Sequence, residues 1–187
     1  MKKIGLCVTG SFCTFSNLLT AVDALVDAGY EIVPVFSYNV STLDTRFFKQ
    51  ADFEKYIVEK TGKTPIKTIV EAETITKSGI ELMLVAPCTG NTLAKIVNGI
   101  TDTPTTMAVK ATLRTNKPVV LSISSNDALG ANAKNVGIAL NTKNLYLVPF
   151  GQDAPDNKPH SLIADVSLIL PTIEKALNHE QIQPVIL

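Results

Sequence analysis

Short, continuous apolar runs alternate along the chain with amphipathic stretches of helical period. Continuous rather than alternating apolar character is typical of parallel strands covered on both faces. The pattern therefore predicts an α/β fold, a three-layer Rossmann-like open parallel sheet with helices on both faces. A length of 187 residues favours a single domain over 1–187. The predicted strands are Lys3–Thr9, Glu31–Phe36, Glu81–Ala86, Pro118–Ser124 and Leu145–Val148.

The stretches between these runs predict the helices. Asn17–Ala28 has apolar residues at helical spacing and is followed by Gly29, which is typical of a helix C-terminus. Ser37–Asp44 and the stretch from Gly151 to Pro159 are expected to be loops, and the apolar tail Gln183–Leu187 is expected either to fray or to dock on a neighbouring subunit. The other predicted helices are Phe47–Lys60, Ile69–Lys77, one beginning near Thr92, about Thr105–Thr115, Leu129–Leu140 and Leu162–Leu177.

Composition narrows the classes of partner. Lys plus Arg and Asp plus Glu both number 17, and no basic cluster occurs, so binding to nucleic acid is not expected. No apolar run approaches the roughly 18 residues of a membrane span. Cys7, Cys13 and Cys88 form no CxxC pair and share no ligand spacing with histidine, so we expect a cytoplasmic protein without a metal site, with Cys13 and Cys88 as packing residues. The apolar fraction of 45% indicates contact with other subunits.

Polar residues and glycines follow the predicted strands at the edge where open α/β sheets bind ligands. They are Gly10-Ser11-Phe12, Ser37, Pro87–Thr92 and Ser124-Ser125-Asn126-Asp127. The first turn lacks both the GxGxxG motif of dinucleotide-binding folds and the GK[ST] motif of P-loops. It fits a single phosphate bound by Gly10 and Ser11, or an ordinary turn in which Ser11 caps a helix.

The segment after the third strand carries the strongest signal. Pro87 ends the predicted strand, Gly90 permits close approach of the backbone, and Thr92 can cap the next helix. A cap does not explain Asn91, whose amide can donate to and accept from a heteroaromatic ring or a carboxylate. Lys95 lies one helical turn beyond Asn91 and would suit a dicarboxylate substrate, the alternative being a solvated helix face. Together with the first turn, this segment indicates a phosphorylated cofactor.

These residues resemble a known superfamily. Gly10-Ser11 and Pro87-Cys88-Thr89-Gly90-Asn91-Thr92, followed by Lys95, Gly99 and Asp102, are similar to the flavoprotein superfamily of homo-oligomeric flavin-containing cysteine decarboxylases, with its Pro-x-Ser-x-Asn-Thr signature. The resemblance spans roughly residues 3–150 and implies FMN as cofactor. It implies that Gly10, Ser11 and Phe12 hold the phosphate and ribityl chain, that Ser37 and Ser124 add contacts, and that Thr89–Thr92 surround the isoalloxazine edge. It also implies that Asn91 meets a substrate carboxylate.

Two departures from the superfamily narrow the expected activity. The decarboxylases carry an active-site histidine after the second strand, whereas Ser37–Lys60 contains none, which disfavours decarboxylation. The prenyl-flavin-forming relatives place an arginine where this chain has Ser124 to Asp127, which disfavours a prenyl-phosphate substrate. Within the superfamily the chain is most similar to members that take part in oxidising dihydrodipicolinate to dipicolinate in spore-forming bacteria. The implied role is that of an oxidoreductase subunit, with Asn91 and Lys95 as catalytic residues.

The resemblance also implies partners. Because the chain lacks a dinucleotide fingerprint, NAD(P) is expected on a separate partner subunit. The superfamily implies a homo-oligomer, a trimer or a multiple of trimers, here in the mother cell cytoplasm of a spore-forming bacterium. Two alternatives stay open, namely a flavin-dependent decarboxylase with altered catalytic residues and a non-catalytic assembly subunit.

Overall fold

A mixed sheet of seven strands runs through the middle of the molecule, which the computed structural model describes over residues 2–187. The strand order is β2-β1-β3-β4-β7-β6. Strands β5 and β7 both pair with the same edge of β4, β5 near the beginning of β4 and β7 near its end. The pairs among β1 to β5 are parallel, whereas β7 is antiparallel to both β4 and β6. The strands are β1 (Lys3–Val8), β2 (Glu31–Phe36), β3 (Leu82–Cys88), β4 (Val119–Ser125), β5 (Leu145–Leu147), β6 (Phe150–Gly151) and β7 (Leu162–Ala164).

Helices cover the sheet on both faces. On one face α1 contacts both α3 and α8, and on the other α4, α5, α6 and α7 form a second contiguous group. The prediction of a three-layer Rossmann-like fold is therefore confirmed. The helices are α1 (Phe15–Asp27), α2 (Tyr38–Thr42), α3 (Gln50–Thr61), α4 (Ile69–Glu73), α5 (Gly90–Val97), α6 (Pro104–Leu113), α7 (Ala133–Leu140) and α8 (Ile169–Ala176), with 3-10 turns at Phe12–Thr14, Ile75–Ser78 and Val166–Leu168.

The continuous apolar runs form the central strands because both faces of the sheet are covered. All seven residues of β3 are buried, and Ile4, Leu6 and Val8 of β1 are fully buried beside them. Each such side chain contributes about 1.5–3 kcal/mol relative to an exposed position. This shared core holds the carboxyl ends of β1, β3 and β4 at one edge of the sheet, where the predicted site residues lie.

The predicted helix over Leu162–Leu177 is wrong in its first part, and the sheet is antiparallel there. The segment predicted as one helix over Leu162–Leu177 begins instead as β7, which pairs with Ser124 and Ser125 of β4. The side chain of Asp165 then accepts a hydrogen bond from the Ser167 N–H at 3.0 Å and starts the turn that leads into α8. Sheet pairing of a buried segment overrides its helical period here, because period alone does not distinguish a short buried strand from a helix.

Two boundaries near the predicted site also differ. Pro87 does not end the third strand, since β3 continues to Cys88 with a shift of register between Val85 and Cys88. Such an irregularity accommodates a residue that has no N–H to donate. Helix α5 begins at Gly90 rather than near Thr92, and its N-cap is Thr89. The predicted loop Ser37–Asp44 contains the short helix α2.

The apolar tail pairs with its own sheet, an outcome that neither expectation for it included. The Phe150 N–H donates to the Val185 carbonyl at 3.1 Å, and the Leu187 N–H donates to the Phe150 carbonyl at 3.0 Å. The side chains of Ile186 and Leu187 stay exposed. Among residues 2–187, no helix combines the length and apolar character needed to cross a bilayer.

Candidate functional site

One buried hydroxyl joins the loops that follow β1 and β3. Thr9 Oγ1 donates to the Pro87 carbonyl oxygen at 2.6 Å and accepts from the Thr89 N–H at 3.1 Å. Thr9 is 1% exposed, so water does not compete for these bonds. The bridge fixes the spacing between the turn at Gly10 and the beginning of α5, the two features that the sequence places against a ligand.

The first turn of α5 presents polar groups to this edge. Thr89 Oγ1 accepts from the Thr92 N–H at 3.2 Å, and its hydroxyl lies 3.0 Å from Thr92 Oγ1. The first N–H groups of a helix have no partner within the helix and carry partial positive charge. Because Thr89 satisfies the Thr92 N–H, those of Gly90 and Asn91 are the ones that a ligand at this edge can use.

The loop after β4 closes the other side of the site. Ser124 Oγ lies 2.7 Å from Ser11 Oγ, a hydrogen bond across the end of β3. Ser37, at the end of β2, caps α2 by accepting from the Val40 N–H at 3.4 Å. The carboxyl ends of four neighbouring strands thus contribute hydroxyl groups to one surface.

Two clefts meet along this surface and share Gly10 and Thr89. Their volumes are about 350 Å³ and about 240 Å³, and together they lie within the roughly 300–1,000 Å³ typical of cofactor sites. The shared residues place the two clefts side by side, and we call the two together the crevice. The larger, which we call the α5 cleft, is also lined by Thr9, Ser37, Tyr38, Asn39, Asn91, Thr92, Lys95 and Thr103. The smaller, the β7 cleft, is also lined by Ser11, Cys13, Thr14, Gly90, Ser124, Ser125, Asn126, Asp153, Lys158, Ser161 and Ile163.

Only glycine fits at position 90. A Cβ there would lie 2.7 Å from Asn132 Nδ2 and 2.8 Å from Asp127 Oδ1. Those two side chains are fixed to each other, since Asn132 Nδ2 donates to Asp127 Oδ2 at 2.8 Å. The Ser125 hydroxyl, the largest influence, and then the Asn132 amide lower the pKa of the Asp127 carboxyl. An anion therefore lies directly behind the beginning of α5.

Each cleft has one cationic side chain among its lining residues, and each is paired with an aspartate. Lys95 Nζ in the α5 cleft lies 2.8 Å and 2.7 Å from the two carboxylate oxygens of Asp102, and this contact lowers the pKa of Asp102. Lys158 Nζ in the β7 cleft lies 3.3 Å from Asp153 Oδ2. In this structure each lysine is thus already neutralised by a carboxylate.

Most of the predicted site residues lie together. Those predicted from the strand ends, and Lys95, all line one cleft or both: Gly10, Ser11, Ser37, Thr89, Gly90, Asn91, Thr92, Lys95 and Ser124. Phe12 lines neither cleft. Its ring centroid lies 5.1 Å from that of Phe15, in a cluster of aromatic side chains packed against the core. The Phe12 ring thus packs beside the residues that line the clefts, and its role in binding stays a prediction.

Sequence reasoning missed several lining residues. Tyr38 and Asn39 directly follow Ser37, a predicted site residue. Their position next to Ser37 in the sequence could therefore have identified them. Asp153, Lys158 and Ser161 lie far along the chain from the predicted loops. They reach the site because β7 runs antiparallel to β4, which places the residues before β7 beside the carboxyl end of β4. Nothing local in the sequence indicates that reversal.

The cysteines differ from one another in environment. Burial raises the pKa of the Cys88 thiol to about 12 and also raises that of Cys7, so both stay protonated and pack in the core. Cys13 is exposed and lines the β7 cleft, so its interpretation as a packing residue is wrong. Among residues 2–187, no cluster of three or more His, Cys, Asp or Glu side chains is placed to hold a metal ion.

Comparison with known proteins shows the family of this chain. The B subunit of dipicolinate synthase from Bacillus subtilis (strain 168) is 46% identical over 186 residues, which cover 99% of this chain and 93% of that protein. The crystal structure of its counterpart, the dipicolinate synthase B subunit from Bacillus halodurans, superposes with a TM-score of 0.91 at 41% identity, covering 100% of this chain and 96% of that one. The FMN-dependent cysteine decarboxylase SpaF shares the fold, with a TM-score of 0.67 at 20% identity over 95% of each chain. A family model described as Flavoprotein matches residues 1–137, and the chain therefore belongs to the Flavoprotein family.

Proposed function

We propose that the chain binds FMN across the two clefts, with the phosphate and ribityl chain at the turn of Gly10 and Ser11 and the ring edge at Thr89–Thr92. The observation that carries the proposal is that Gly10 and Thr89 line both clefts, so the clefts lie side by side at the carboxyl ends of the strands. In this orientation Gly10, Ser11 and Ser124 hold the phosphate and the adjoining ribityl chain. The ring lies against the N-terminus of α5, with Ser37 on its other side.

We further propose that the protein is the flavin-binding component of a dipicolinate synthase and acts with the A subunit of that enzyme during sporulation, in the cytoplasm of the mother cell. Support comes from the identity of 46% over nearly the full length of both chains. Forming the aromatic ring removes one hydride and one proton from dihydrodipicolinate. Bound FMN supplies a ring system that can accept the hydride directly or relay it to NAD(P) on the partner subunit.

The α5 cleft offers groups suited to a dicarboxylate. The Asn91 amide can donate to one carboxylate, and the Lys95 ammonium can form a charge-assisted hydrogen bond with it. The Lys95 ammonium forms an ion pair with the Asp102 carboxylate in this structure. A substrate carboxylate must therefore share the ammonium with Asp102 or displace Asp102 from it. Asn91 and Lys95 thereby orient the substrate against the ring and fill the catalytic roles predicted for them.

A non-catalytic assembly role is the second candidate. Hydrogen bonds or an ion pair lower the pKa of Asp102, Asp127 and Asp153, the carboxyl groups at and beside the clefts. None of the three is therefore held protonated near neutral pH as a proton donor. This observation favours a role in which the chain positions a cofactor or partner and leaves proton transfer to another polypeptide.

Anaerobic titration of the protein with FMN separates these candidates. We expect saturable quenching of flavin fluorescence and, after addition of dihydrodipicolinate and the A subunit, loss of the visible absorption of oxidised flavin. Asn91→Ala should keep FMN affinity and slow flavin reduction by at least about tenfold, since it removes a hydrogen bond to a charged group. Full activity of this variant in the reconstituted complex would support the assembly role. A wild-type protein that does not quench FMN would contradict the cofactor assignment.

We also propose that the protein forms a homo-oligomer, as the superfamily implies. Support comes from the exposed apolar side chains Leu129, Ile138 and Leu140, which lie on and before α7. Light scattering coupled to size exclusion measures the number of chains directly.

A further inference from the structure

One carboxylate beside the crevice keeps an unbalanced negative charge. Asp102 and Asp153 each form an ion pair with a lysine. Asp127 differs from them, because within residues 2–187 its carboxylate contacts only neutral donors, the Ser125 hydroxyl and the Asn132 amide. These donors satisfy the carboxylate oxygens without cancelling the charge. A full negative charge therefore stays beside the beginning of α5.

Buried amides fix the position of this charge. Asn132 Nδ2 donates to Asp127 Oδ2 at 2.8 Å, and Asn135 Nδ2 donates to Asn132 Oδ1 at 2.7 Å. Both asparagines are buried, so water competes little for these bonds. The N–H groups of Gly130 and Asn132 also donate to the Asp127 carbonyl, at 2.9 Å and 3.1 Å. The residue is thus held through its side chain and its backbone.

We propose that Asp127 lowers the reduction potential of the flavin bound in the crevice. The inference rests on the proposed function, which places the ring edge at Thr89–Thr92. Gly90 belongs to that segment, and a Cβ on Gly90 would lie 2.8 Å from Asp127 Oδ1. Asp127 itself lines neither cleft. Its charge therefore acts on the ring through space, across the backbone of Gly90, and not by direct contact.

A negative charge at this place disfavours the reduced flavin. The oxidised ring is neutral, whereas a ring that has accepted a hydride carries a negative charge until a proton follows. A fixed anion nearby opposes that added charge. The first N–H groups of α5 would by themselves favour it, and Asp127 offsets this positive end of the helix. The site thus passes a hydride on more readily than it retains one, which suits relay to NAD(P) on a partner subunit.

The distance across the backbone gives the expected size of the effect. For two charges about 8 Å apart, Coulomb's law with an effective dielectric of about 20 to 40 changes the equilibrium between oxidised and reduced flavin by roughly 5- to 30-fold. For a two-electron couple, at about 30 mV per tenfold, this is about 20 to 45 mV. Asp127 is exposed, so salt should screen part of the interaction.

Asp127→Asn removes the charge and keeps the shape of the side chain. The new amide can accept from Asn132 through its oxygen and donate to the Ser125 hydroxyl through its nitrogen. The midpoint potential of bound FMN should rise by about 20 to 45 mV, while oxidised FMN binds within a few-fold of wild type. By the thermodynamic cycle, reduced FMN should then bind roughly 5- to 30-fold more tightly. Spectroelectrochemical titration measures the potential, and fluorescence titration measures the affinity of oxidised FMN.

Two comparisons locate the effect at the ring. Bound riboflavin, which lacks the phosphate, should show the same shift in Asp127→Asn. Asp52→Asn makes the same change of charge at an exposed position of α3, and it should leave the potential unchanged because no residue of α3 lines either cleft. Thermal unfolding of both variants controls for folding. In the wild-type protein, added salt should raise the potential of bound FMN, a measurement that needs no variant.

The outcomes distinguish this inference from the proposed function. A folded Asp127→Asn variant that binds FMN at the wild-type potential would overturn the role of Asp127 and leave FMN binding intact. An equal shift in Asp52→Asn would overturn it as well, since the effect would then belong to net charge. If Asp127→Asn did not fold, a wild-type potential independent of salt would decide against the role. A wild-type protein that binds neither flavin would overturn the proposed function and the inference together.

Discussion

A single hydroxyl, that of Thr9, determines how the two loops of the site are spaced. It donates a hydrogen bond to the Pro87 carbonyl and accepts one from the Thr89 N–H, and both of these groups belong to the neighbouring loop. Because Thr9 and Pro87 are buried and Thr89 is half-buried, the bridge is costly to break and fixes its geometry. The site is thus held by a residue that does not need to touch the reacting part of a ligand.

Replacing Thr9 by Val tests this function. The variant keeps the shape of the side chain but leaves the Pro87 carbonyl and the Thr89 N–H unpartnered, so unfolding free energy should fall by about 1–3 kcal/mol. FMN affinity should fall as well, since the crevice loses its fixed width. Thr9→Ser retains the hydroxyl and should restore most of both quantities, as measured by urea unfolding and flavin titration. If Thr9→Val were as stable as Thr9→Ser and bound FMN as tightly, the hydroxyl would be dispensable.

At the scale of elements, the start of α5 is the part most constrained by its neighbours. Gly90 lies against the polar pair formed by Asp127 and Asn132, which precede and cap α7. The contact couples the N-terminus of one helix to the loop after β4. A residue with any side chain at this position must displace either the helix or that pair.

Two glycine-to-alanine changes on neighbouring helices should therefore have opposite effects. Gly90→Ala should lower the unfolding free energy by about 1–3 kcal/mol through overpacking and weaken FMN. Gly137→Ala, in the exposed middle of α7 with no atom within 4 Å of the new Cβ, should raise it by about 0.5–1 kcal/mol. Urea unfolding of both variants measures the difference. Destabilisation by both changes would mean that helix propensity does not decide the effect at α7.

The elements also show how far sequence reasoning reaches. Strands β1 to β5 were predicted with ends within two residues of their observed positions, because continuous burial leaves a clear apolar signal. The shorter β6 and β7 leave no such signal, and the apolar residues of β7 merged with those of α8. The Thr9, Ser37 and Thr89 loops were identifiable because carboxyl ends of parallel strands meet at one edge. Lys158 was not, since only the reversed direction of β7 brings it there.

At the scale of the whole molecule, the tail completes the sheet. Val185–Leu187 lies along Phe150 of β6, and β6 in turn supports β7 and the loop 152–161. Val185 is half-buried against the core, whereas the Ile186 side chain is 66% exposed. The backbone of the tail therefore contributes more to the fold than its outermost side chain.

Removing Val185–Leu187 should lower the unfolding free energy by about 1–3 kcal/mol through the loss of two backbone hydrogen bonds to Phe150. It should also weaken FMN, because it loosens the strand that precedes the loop 152–161, whose residues line the β7 cleft. Ile186→Ser keeps the backbone bonds and should stay within about 0.5 kcal/mol of wild type. Denaturant unfolding and flavin titration compare the two. If the truncated protein had the stability and FMN affinity of wild type, β6 would not depend on its pairing with the tail.

The pairing of the tail with Phe150 also bears on how the protein can be handled. An affinity tag or reporter fused after Leu187 would extend from the outer edge of β6, which supports β7 and the loop 152–161, and it would crowd that edge during purification. Fusions are better joined ahead of Lys2, which is exposed and precedes β1 at the end of the sheet remote from both clefts. A preparation tagged at the carboxyl end and found colourless would thus report on the fusion rather than on the protein.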